Sequence, residues 1–363
     1  MKNILMFSHE FPPYIGGVGS VGYQIAKWLS DKGYNVTVLT RYEDEIEFID
    51  GINFKVVKVL PKLWFLSYAR YLKNINLNTY DAIILNECAP TIVAGKYFKN
   101  DVLKKCIVYL HGLEVENIYS SKIKNIFRWI FGFRSAHIRT VNNAKKVVAV
   151  GEHMKNKFIS CAGVKLCRDI DVVYAGLDTD KFKISNASIN KSSDFVLVSA
   201  SRVIREKGYF EKLEIFKRLK EHYNVHWIIC GDGKDLNQLK ESVESYGLRD
   251  AVTFKGFCNR DLLKKVYAEA DLFWLLSNYD EALPLCYIEA QLCGVPTIGR
   301  NIGGTKEAIL DNINGFLVDN EELCYRTIST YIDSDKRLER SNVRDSALYF
   351  DIDATLSKLE NFL

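Results

Sequence analysis

Short apolar runs alternate with longer amphipathic segments along most of this chain. Runs rich in Val, Ile and Leu predict buried strands, and segments whose apolar residues recur every three or four positions, such as Ser20–Lys32, predict helices. The first series of predicted strands comprises Ile4–Ser8, Val36–Thr40, Phe54–Val59, Ala82–Leu85, Ile107–Leu110 and Val147–Val150. Strands that alternate with helices in this way form parallel sheets covered by helices.

A second series of the same kind follows the polar stretch Ser185–Asp194. Its predicted strands are Phe195–Ser199, Trp227–Cys230, Val252–Phe254, Leu272–Leu275, Thr297–Ile298 and Phe316–Val318. We therefore predict an α/β protein with two Rossmann-like, doubly wound domains, residues 1–184 and residues 185–349. Open sheets of this type bind ligands at the carboxyl ends of their strands, so we expect the domains to face each other across a ligand cleft.

The composition is that of a globular protein without a membrane span. Of the 363 residues, 48% are apolar and 26% charged, which excludes a disordered or collagen-like chain. The best apolar stretch, Leu272–Tyr279, is bounded by Asp271 and Asp280 and is far shorter than a membrane-spanning helix. His9 and Glu10 follow the first apolar residues too soon for a secretory signal, so we expect a cytoplasmic protein.

The net charge of +4 conceals an asymmetry between the two halves of the chain. Residues 1–190 contain 26 Lys and Arg against 17 Asp and Glu, a net +9, which leaves 23 against 28, a net −5, for the remainder. From Asn117 to Gly151 there are seven basic residues and no acidic one. A basic region of this kind predicts an anionic partner for the first domain.

The cysteines and the acidic triplets do not predict a metal site. The nine cysteines include no C-x-x-C pair, and several of them lie in apolar segments, which favours reduced, buried thiols over disulfides or zinc. Those in apolar segments are Cys230, Cys286 and Cys293. Three Asp-x-Asp triplets, which could suggest a manganese site, are interpreted as solvated acids; they are Asp169–Asp171, Asp178–Asp180 and Asp351–Asp353. We therefore expect neither a metal nor a cofactor.

A glycine-rich loop follows the first predicted strand. Gly16 and Gly17 precede a predicted helix whose first amides favour an anion, and Gly17–Gly22 fits the dinucleotide pattern G-x-G-x-x-G. An NAD(P)-dependent oxidoreductase is therefore one alternative. Two prolines separate the strand from these glycines, and Arg41 ends the second strand where an NAD enzyme usually has an acid, so NADP is the better of the two cofactors.

A second cluster of polar residues surrounds a predicted helix that begins near Pro284. Glu281 precedes this helix and Glu289 lies on it, so the two carboxylates can lie along one side of its amino terminus. The free amides there, including those of Leu285 and Cys286, could bind a diphosphate. A carboxylate nearby could accept hydrogen bonds from sugar or ribose hydroxyls.

With these residues the sequence resembles the family 4 glycosyltransferases of the GT-B fold. Glu281 and Glu289 match the family's E-x7-E spacing, and Glu289 begins a match to its E-A-x-x-x-G-x-P segment. Ser201–Gly208 is similar to the family's G-R-x-x-x-x-K-G, and Gly231–Gly233 also matches. The resemblance covers nearly the whole chain, and the order of the motifs makes it specific.

The resemblance implies a retaining transferase that takes a sugar from a UDP- or GDP-sugar bound mainly by the second domain, without a metal. Arg202 and Lys207 would hold the donor diphosphate, as their charge and position after a strand also suggest. Glu289 would bind the ribose, Glu281 a hydroxyl of the donor sugar, and Gly17 would offer its amide near the phosphates or acceptor. A sugar-nucleotide epimerase or hydrolase of the same fold is a further alternative.

The resemblance also implies a role for His111, which ends the strand Ile107–Leu110. It matches a histidine of the family's first domain that faces the donor sugar across the cleft. Gly112 stands where the family often has aspartate. The last helix, within residues 350–363, would pack back on the first domain.

The basic segment Lys122–Arg134 predicts an amphipathic helix. Aliphatic and aromatic residues recur in it at helical spacing, and it adds Trp129 and four cations, Lys122, Lys124, Arg128 and Arg134. Such a helix suits an anionic bilayer, where a lipid-linked glycan acceptor would lie, and Leu63–Leu66 could extend the same patch. We thus expect a cytoplasmic enzyme peripheral to the inner membrane face, in cell-surface polysaccharide synthesis such as lipopolysaccharide or capsule. The alternative is that the apolar stripe is core; no nucleic-acid motif accompanies the charge.

Overall fold

A computed structural model describes residues 1–12, 17–42, 49–112, 118–119, 126–163, 166–184 and 194–363, with the backbone alone for residues 126 and 127. The chain divides into two compact units. The first consists of Met1–Gly176 with Ile352–Leu363, and the second of Leu177–Asp351. The division after Gly176 falls eight residues before the predicted boundary at residue 184.

The first unit is built on a parallel sheet of seven strands in the order β3-β2-β1-β4-β5-β6-β7. The strands are β1 Asn3–Phe7, β2 Asn35–Arg41, β3 Asn53–Val57, β4 Ala82–Leu85, β5 Cys106–Leu110, β6 Lys146–Ala149 and β7 Asp171–Val172. The short strand β7 was not predicted, because two half-buried residues give no apolar run. The central strands β4 and β5 are buried along their whole length, as expected where helices cover both faces of a parallel sheet.

Among the described residues up to 162, seven α-helices connect these strands. They are α1 Gly17–Asp31, α2 Trp64–Leu72, α3 Cys88–Tyr97, α4 Asn100–Leu103, α5 Ile126–Ile130, α6 Phe133–Asn143 and α7 Glu152–Ala162. The prediction of one helix over Lys122–Arg134 is wrong in its second half, since α5 ends at Ile130 and α6 begins anew at Phe133. Gly132 between them adopts the left-handed conformation, with φ of 61°, which glycine takes at little cost. Lys122 and Lys124 lie outside the described residues.

The second unit has a parallel sheet of six strands in the order β10-β9-β8-β11-β12-β13. The strands are β8 Phe195–Ala200, β9 Val225–Cys230, β10 Val252–Gly256, β11 Leu272–Leu275, β12 Thr297–Arg300 and β13 Gly315–Val318. Its helices are α8 Tyr209–His222, α9 Leu236–Ser245, α10 Arg260–Glu269, α11 Leu285–Leu292, α12 Thr305–Ala308, α13 Glu321–Asp333 and α14 Arg340–Ala347. Both sheets confirm the predicted α/β, doubly wound fold.

The last helix, α15 Ile352–Glu360, belongs to the first unit. Trp28 Nε1 on α1 donates a hydrogen bond of 2.7 Å to Asp353, and Lys32 forms an ion pair of 2.9 Å with the same carboxylate. A Cβ on Gly176 would lie 2.2 Å from the Thr355 hydroxyl, so this glycine permits the close approach of the helix. In the part of the chain that the structure describes, no helix combines the length and apolar character needed to cross a membrane.

Each sheet reverses its strand order at one point, between β1 and β4 in the first unit and between β8 and β11 in the second. The loops that follow such a pair of strands diverge, which leaves a crevice where open α/β sheets bind ligands. Both groups of candidate residues lie at the reversal point of their own sheet.

Candidate functional site

In the second unit the loops that follow β8 and β11 are in direct contact. After β8 the chain forms a 3-10 turn, Arg205–Lys207, and enters α8 through Gly208, which has φ of 70°. A Cβ on Gly208 would lie 2.0 Å from the carbonyl oxygen of Leu276 in the other loop, so only glycine fits. The amide of Asn278 donates to the carbonyl of Glu206 at 2.8 Å. The two loops therefore form one structural unit around Lys207.

Lys207 and Glu281, which are 74 residues apart, form an ion pair between Nζ and Oε1. The side chains are 12% and 20% exposed, respectively. The same carboxylate oxygen accepts a hydrogen bond of 2.8 Å from the buried hydroxyl of Ser277. Lys207 Nζ also lies 5.7 Å from the centre of the Tyr279 ring. Both predicted residues are thus together, and Ser277, which sequence reasoning missed, orients the carboxylate.

Gly303 and Gly304 hold the backbone of Glu281 in place. The amide of Gly304 donates to the carbonyl of Glu281 at 2.8 Å, and a Cβ on Gly304 would lie 1.9 Å from the carbonyl oxygen of Ala282. Gly303 has φ of 53°, again a conformation that favours glycine. The backbone of the loop that carries Glu281 is therefore fixed by its contacts with Gly303 and Gly304.

Glu289 lies on α11, one turn after Leu285 and Cys286 at the start of the helix. No described side chain caps this start, so the first amides of α11 are available to a ligand. Glu289 is half-buried, and burial raises the pKa of its carboxyl to about 7, an effect that Arg260 partly opposes. Within the described ranges Glu289 has no hydrogen-bond or ion-pair partner. A desolvated carboxylate of this kind gains from a ligand that donates hydrogen bonds to it.

Arg202 differs from Lys207 in its surroundings. Its side chain is exposed, and no described residue pairs with its guanidinium. Its loop is nevertheless fixed, because the amide of Val203 donates to the carbonyl of Asp232 at 2.9 Å, and Gly231, at φ of 149°, lets Ser201 approach closely. Of the two predicted cations, Lys207 is thus paired with Glu281, whereas Arg202, on the same loop, has no partner among the residues that the structure describes.

A lysine that the sequence analysis did not select lies beneath this loop. Lys212 on α8 is fully buried; its Nζ donates to Ser199 Oγ at 2.8 Å and lies 3.8 Å from the centre of the Tyr209 ring. Burial holds the pKa of Lys212 well below its usual range. The Tyr209 hydroxyl is 3.0 Å from that of Ser201, so Lys212 supports the loop that carries Arg202.

The first unit contains a cavity of about 550 Å³ at the carboxyl ends of β1, β4 and β5. Its walls include polar, charged and aromatic side chains, among them His9, Glu10, Trp64, Glu87, His111 and Arg128. Glu87 Oε1 accepts a hydrogen bond of 2.6 Å from the amide of Glu10. His9 Nδ1 lies 3.0 Å from the Tyr68 hydroxyl, and burial lowers the pKa of His9 to about 4.

His111 contacts a second residue that sequence reasoning missed. His111 Nε2 is 3.2 Å from Asn86 Oδ1, and the Asn86 amide nitrogen donates to Ser8 Oγ and to the carbonyl of Val18, each at 3.0 Å. Burial lowers the pKa of His111 to about 4. Asn86 could have been noticed from its position directly after the apolar strand β4. Gly17 begins α1, and a Cβ on it would meet nothing within 4 Å; Gly16 lies outside the described residues.

The predicted basic and aromatic segment is partly core and partly surface. Phe133 is buried, with its ring centre 5.2 Å from that of Phe65 and 5.7 Å from that of Trp64, so the stretch Leu63–Leu66 does contact this segment. Trp129 and Ile130 are 80% and 65% exposed. Arg134 is also exposed and lies over the Tyr119 ring at 5.2 Å, while Arg128 lines the cavity.

The acidic triplets contain ion pairs rather than clustered ligands. Asp171 pairs with Lys146, Asp178 with Lys181 and Asp353 with Lys32. Among the described residues no group of three or more His, Cys, Asp or Glu side chains is placed to hold a metal ion.

Two family models match the chain, one in each half. The model described as Glycosyl transferases group 1 matches residues 180–343, and that described as Glycosyltransferase Family 4 matches residues 15–181. An uncharacterised glycosyltransferase of Methanocaldococcus jannaschii is 25% identical over 344 residues, which cover 87% of this chain and 84% of the relative. The N-acetyl-alpha-D-glucosaminyl L-malate synthase of Bacillus anthracis is 24% identical over 85% of this chain and 81% of its own. Among solved structures, Anabaena HepE in complex with UDP and glucose has a TM-score of 0.79 at 20% identity and covers 99% of both chains.

Proposed function

Because this chain belongs to the family 4 glycosyltransferases and has the GT-B fold, we propose that it transfers a sugar from a UDP- or GDP-sugar to a lipid-linked glycan, with retention of configuration. The bond between the anomeric carbon and the diphosphate oxygen breaks. A bond from an acceptor hydroxyl forms on the same face of the sugar. The hydroxyl proton leaves with the departing nucleoside diphosphate.

The observation that carries this proposal is the Lys207–Glu281 pair at the reversal point of the second sheet. As the nucleotide leaves, negative charge grows on its diphosphate, and a cation fixed in a desolvated site stabilises that charge. Lys207 supplies such a cation at the end of a rigid turn, and the guanidinium of Arg202, which no described residue pairs with, is available for a bidentate contact with phosphate oxygens. Lys207 and Arg202 together stabilise the charge on the leaving diphosphate without a metal ion.

The carboxylates then recognise the hydroxyl groups of the donor. Glu281 keeps one oxygen on Lys207 and Ser277, which leaves its second oxygen for a hydroxyl of the sugar. Glu289, with no partner of its own in the described part of the chain, accepts from the ribose hydroxyls. The amides of Leu285 and Cys286 face the diphosphate at the start of α11. The UDP and glucose bound by Anabaena HepE favour UDP over GDP.

The cavity of the first unit receives the acceptor. Its volume of about 550 Å³ fits a saccharide unit, Trp64 offers an aromatic face to a sugar ring, and Glu87 and His111 offer polar contacts. His111 is the residue we assign to the chemistry from this unit, and the amide of Gly17 lies at the start of α1 nearby. The relative named for L-malate shows that small acceptors occur among similar proteins, so free malate is the first competing acceptor to assay.

The exposed aromatic and basic surface beside the cavity favours a lipid-linked acceptor over a free one. Trp129 and Ile130 project into solvent, and Arg128 and Arg134 belong to the same segment. Exposed Trp and Arg side chains together bind the interface of an anionic bilayer. The enzyme would then work at the inner face of the cytoplasmic membrane, in the synthesis of a cell-surface polysaccharide such as lipopolysaccharide or capsule.

The thermal midpoint of unfolding, measured with UDP, GDP, NAD or NADP in EDTA, tests the donor site. A ligand at about one hundred times its Kd stabilises the folded state by about 2.7 kcal/mol, so binding raises the midpoint by several degrees. We expect the increase with UDP or GDP, its loss in Lys207→Ala, and its retention in the matched control Lys217→Ala, an exposed lysine of α8.

Two results would overturn the proposal. Stabilisation by NAD or NADP alone would show that Gly17–Gly22 is a dinucleotide site and that the enzyme is an oxidoreductase. Turnover of a UDP-sugar to an epimer or a free sugar at the same rate with and without acceptor would favour an epimerase or hydrolase. Product analysis with and without a lipid-linked saccharide separates these outcomes.

A further inference from the structure

The ammonium group of Lys207 can hold a second anion beside Glu281. An ammonium has three N–H donors, and the ion pair with Glu281 Oε1 uses one of them. Among the described residues, Lys207 Nζ has no further hydrogen-bond partner. Two N–H groups can therefore point to a phosphate of a bound nucleotide while the ion pair persists.

A phosphate bound in this way lies close to the Glu281 carboxylate. The N–H bonds of an ammonium diverge at the tetrahedral angle, so two oxygens that each lie about 2.9 Å from Nζ are only about 5 Å apart. Glu281 is held in place, because Ser277 Oγ donates to the same carboxylate oxygen and the amide of Gly304 donates to its backbone carbonyl, each at 2.8 Å. Two anions then share one cation where Glu281 is only 20% exposed, and they repel each other.

The strength of this repulsion depends on the charge of the terminal phosphate of the nucleotide. In a nucleotide sugar one oxygen of that phosphate carries the sugar, and the phosphate has a single negative charge. In the free nucleoside diphosphate the same oxygen is bare and ionises with a pKa of about 6, as other phosphate monoesters do, which adds a second charge above neutral pH. The free nucleotide therefore brings more negative charge close to Glu281.

The intact donor also brings a group that offsets the repulsion. Glu281 Oε2 has no hydrogen-bond partner among the described residues, and a hydroxyl of the donor sugar can donate to it. The free nucleoside diphosphate has no sugar hydroxyl beyond its terminal phosphate. Glu281 thus gains a hydrogen bond from one ligand and meets only added negative charge from the other.

We propose that Glu281 is a specificity-determining residue that weakens binding of the free nucleoside diphosphate relative to the nucleotide sugar. An interaction that repels the wrong ligand contributes to specificity as much as one that attracts the right ligand. Because the free nucleotide is the product of transfer, the same repulsion promotes its release. This inference rests on the proposed function, since it places the diphosphate of the donor on Lys207.

Isothermal titration calorimetry of the full-length protein with UDP at pH 8 tests the proposal. Glu281→Gln keeps the size of the side chain and removes its charge, so we expect it to bind UDP about tenfold more tightly than the wild type. The affinity for UDP-glucose should change less than about threefold, because relief of repulsion and a weaker hydrogen bond to the sugar oppose each other. If the wild type binds GDP and not UDP, the guanosine nucleotides replace the uridine ones.

Three controls separate the charge of Glu281 from other effects. UMP lacks the terminal phosphate, so Glu281→Gln should leave the affinity for UMP unchanged. Glu241→Gln removes an exposed carboxylate on α9 of the same unit and should bind UDP as the wild type does. Glu281→Asp retains a negative charge at the same backbone position and should bind UDP less tightly than Glu281→Gln.

The outcomes distinguish this proposal from the proposed function. Unchanged or weaker binding of UDP by Glu281→Gln, in a protein whose wild type transfers sugar, would overturn the proposal alone, and so would an equal gain in affinity for UMP. Failure of the wild type and of Glu281→Gln to bind any nucleoside diphosphate would overturn both. Tighter binding of UDP by Glu281→Gln, with no transfer by the wild type, would refute the proposed function and leave the role of Glu281 in nucleotide selection intact.

Discussion

The two units place their candidate residues at the same point of the same kind of sheet, yet with opposite electrostatics. In the second unit the central groups are charged: Lys207 pairs with Glu281, and Glu289 is a desolvated carboxyl. In the first unit the pair at the end of β4 and β5 is neutral, since burial lowers the pKa of His111 to about 4 and the uncharged Asn86 is one of its partners. The reversal point of the sheet determines where a ligand binds. The residue types at that point determine whether the site recognises phosphate or hydroxyl groups.

The largest expected effect is the removal of the charged pair. We expect Lys207→Ala and Glu281→Ala each to reduce kcat/KM for transfer by at least about 100-fold, because each removes a group that stabilises or recognises the donor in the transition state. Circular dichroism and the thermal midpoint should show a folded protein in both cases. Steady-state kinetics with the UDP- or GDP-sugar measures the effect.

The double variant shows whether the two residues act as one unit. If they do, the loss in Lys207→Ala with Glu281→Ala is much smaller than the product of the single losses. Ser277→Ala should reduce kcat/KM by an intermediate amount, since it removes only a neutral hydrogen bond to the same Glu281 oxygen. Full activity in either charged variant contradicts the assignment of the donor site to the second unit.

The strands could be predicted from sequence more completely than the site. Buried parallel strands are continuous apolar runs, so twelve of the thirteen strands in the described residues were predicted, and the two-residue β7 was not. The pairing of Lys207 with Glu281 could not be derived from pattern, because it depends on two loops brought together by the order of β8 and β11. The family resemblance selected both residues, but neither their ion pair nor Ser277.

Apart from the buried Lys212, the site residues that sequence reasoning missed include uncharged polar ones. Asn86 and Ser8 lie at strand ends, as His111 does, but a single buried amide or hydroxyl has no spacing that distinguishes it from a turn residue. The segment Lys122–Arg134 was wrongly predicted as one helix. Its apolar residues keep a helical spacing across Gly132, although α5 ends before this glycine and α6 begins after it. There a left-handed residue allows Phe133 to enter the core while Trp129 stays exposed.

The pH dependence of nucleotide binding tests whether the ionised Glu289 carboxylate recognises the ribose. The pKa of Glu289 is raised to about 7, so the ionised form that accepts from ribose is lost as pH falls through 7. We expect nucleotide affinity, measured by calorimetry, to fall by up to about tenfold between pH 7.5 and pH 6. Glu289→Gln should bind more weakly at pH 7.5 and lose this dependence, and a wild-type slope in that variant would contradict the role of Glu289.

The same pKa shift predicts how folding stability depends on pH. The folded state keeps the Glu289 proton up to about pH 7, whereas the unfolded chain loses it near the ordinary glutamate pKa of 4.5. The carboxyl therefore reduces the free energy of unfolding as pH rises from about 4.5 to about 7. Urea denaturation of wild-type protein and Glu289→Gln at pH 5 and pH 7 should show a larger decrease for the wild type.

The smallest expected effect concerns the exposed apolar side chains Trp129 and Ile130 on the surface of the first unit. If Trp129 and Ile130 enter a lipid interface, Trp129→Ser should weaken sedimentation with vesicles of anionic phospholipid about fivefold and leave the thermal midpoint unchanged, because the side chain is exposed in the folded protein. Ile159→Ser, which removes an exposed apolar side chain on α7 of the same unit, is the matched control and should bind as the wild type does. Equal losses in both variants would indicate nonspecific adsorption, and no loss in Trp129→Ser would remove the membrane from the proposal. The cavity of the first unit would then be expected to take an acceptor that is free in solution.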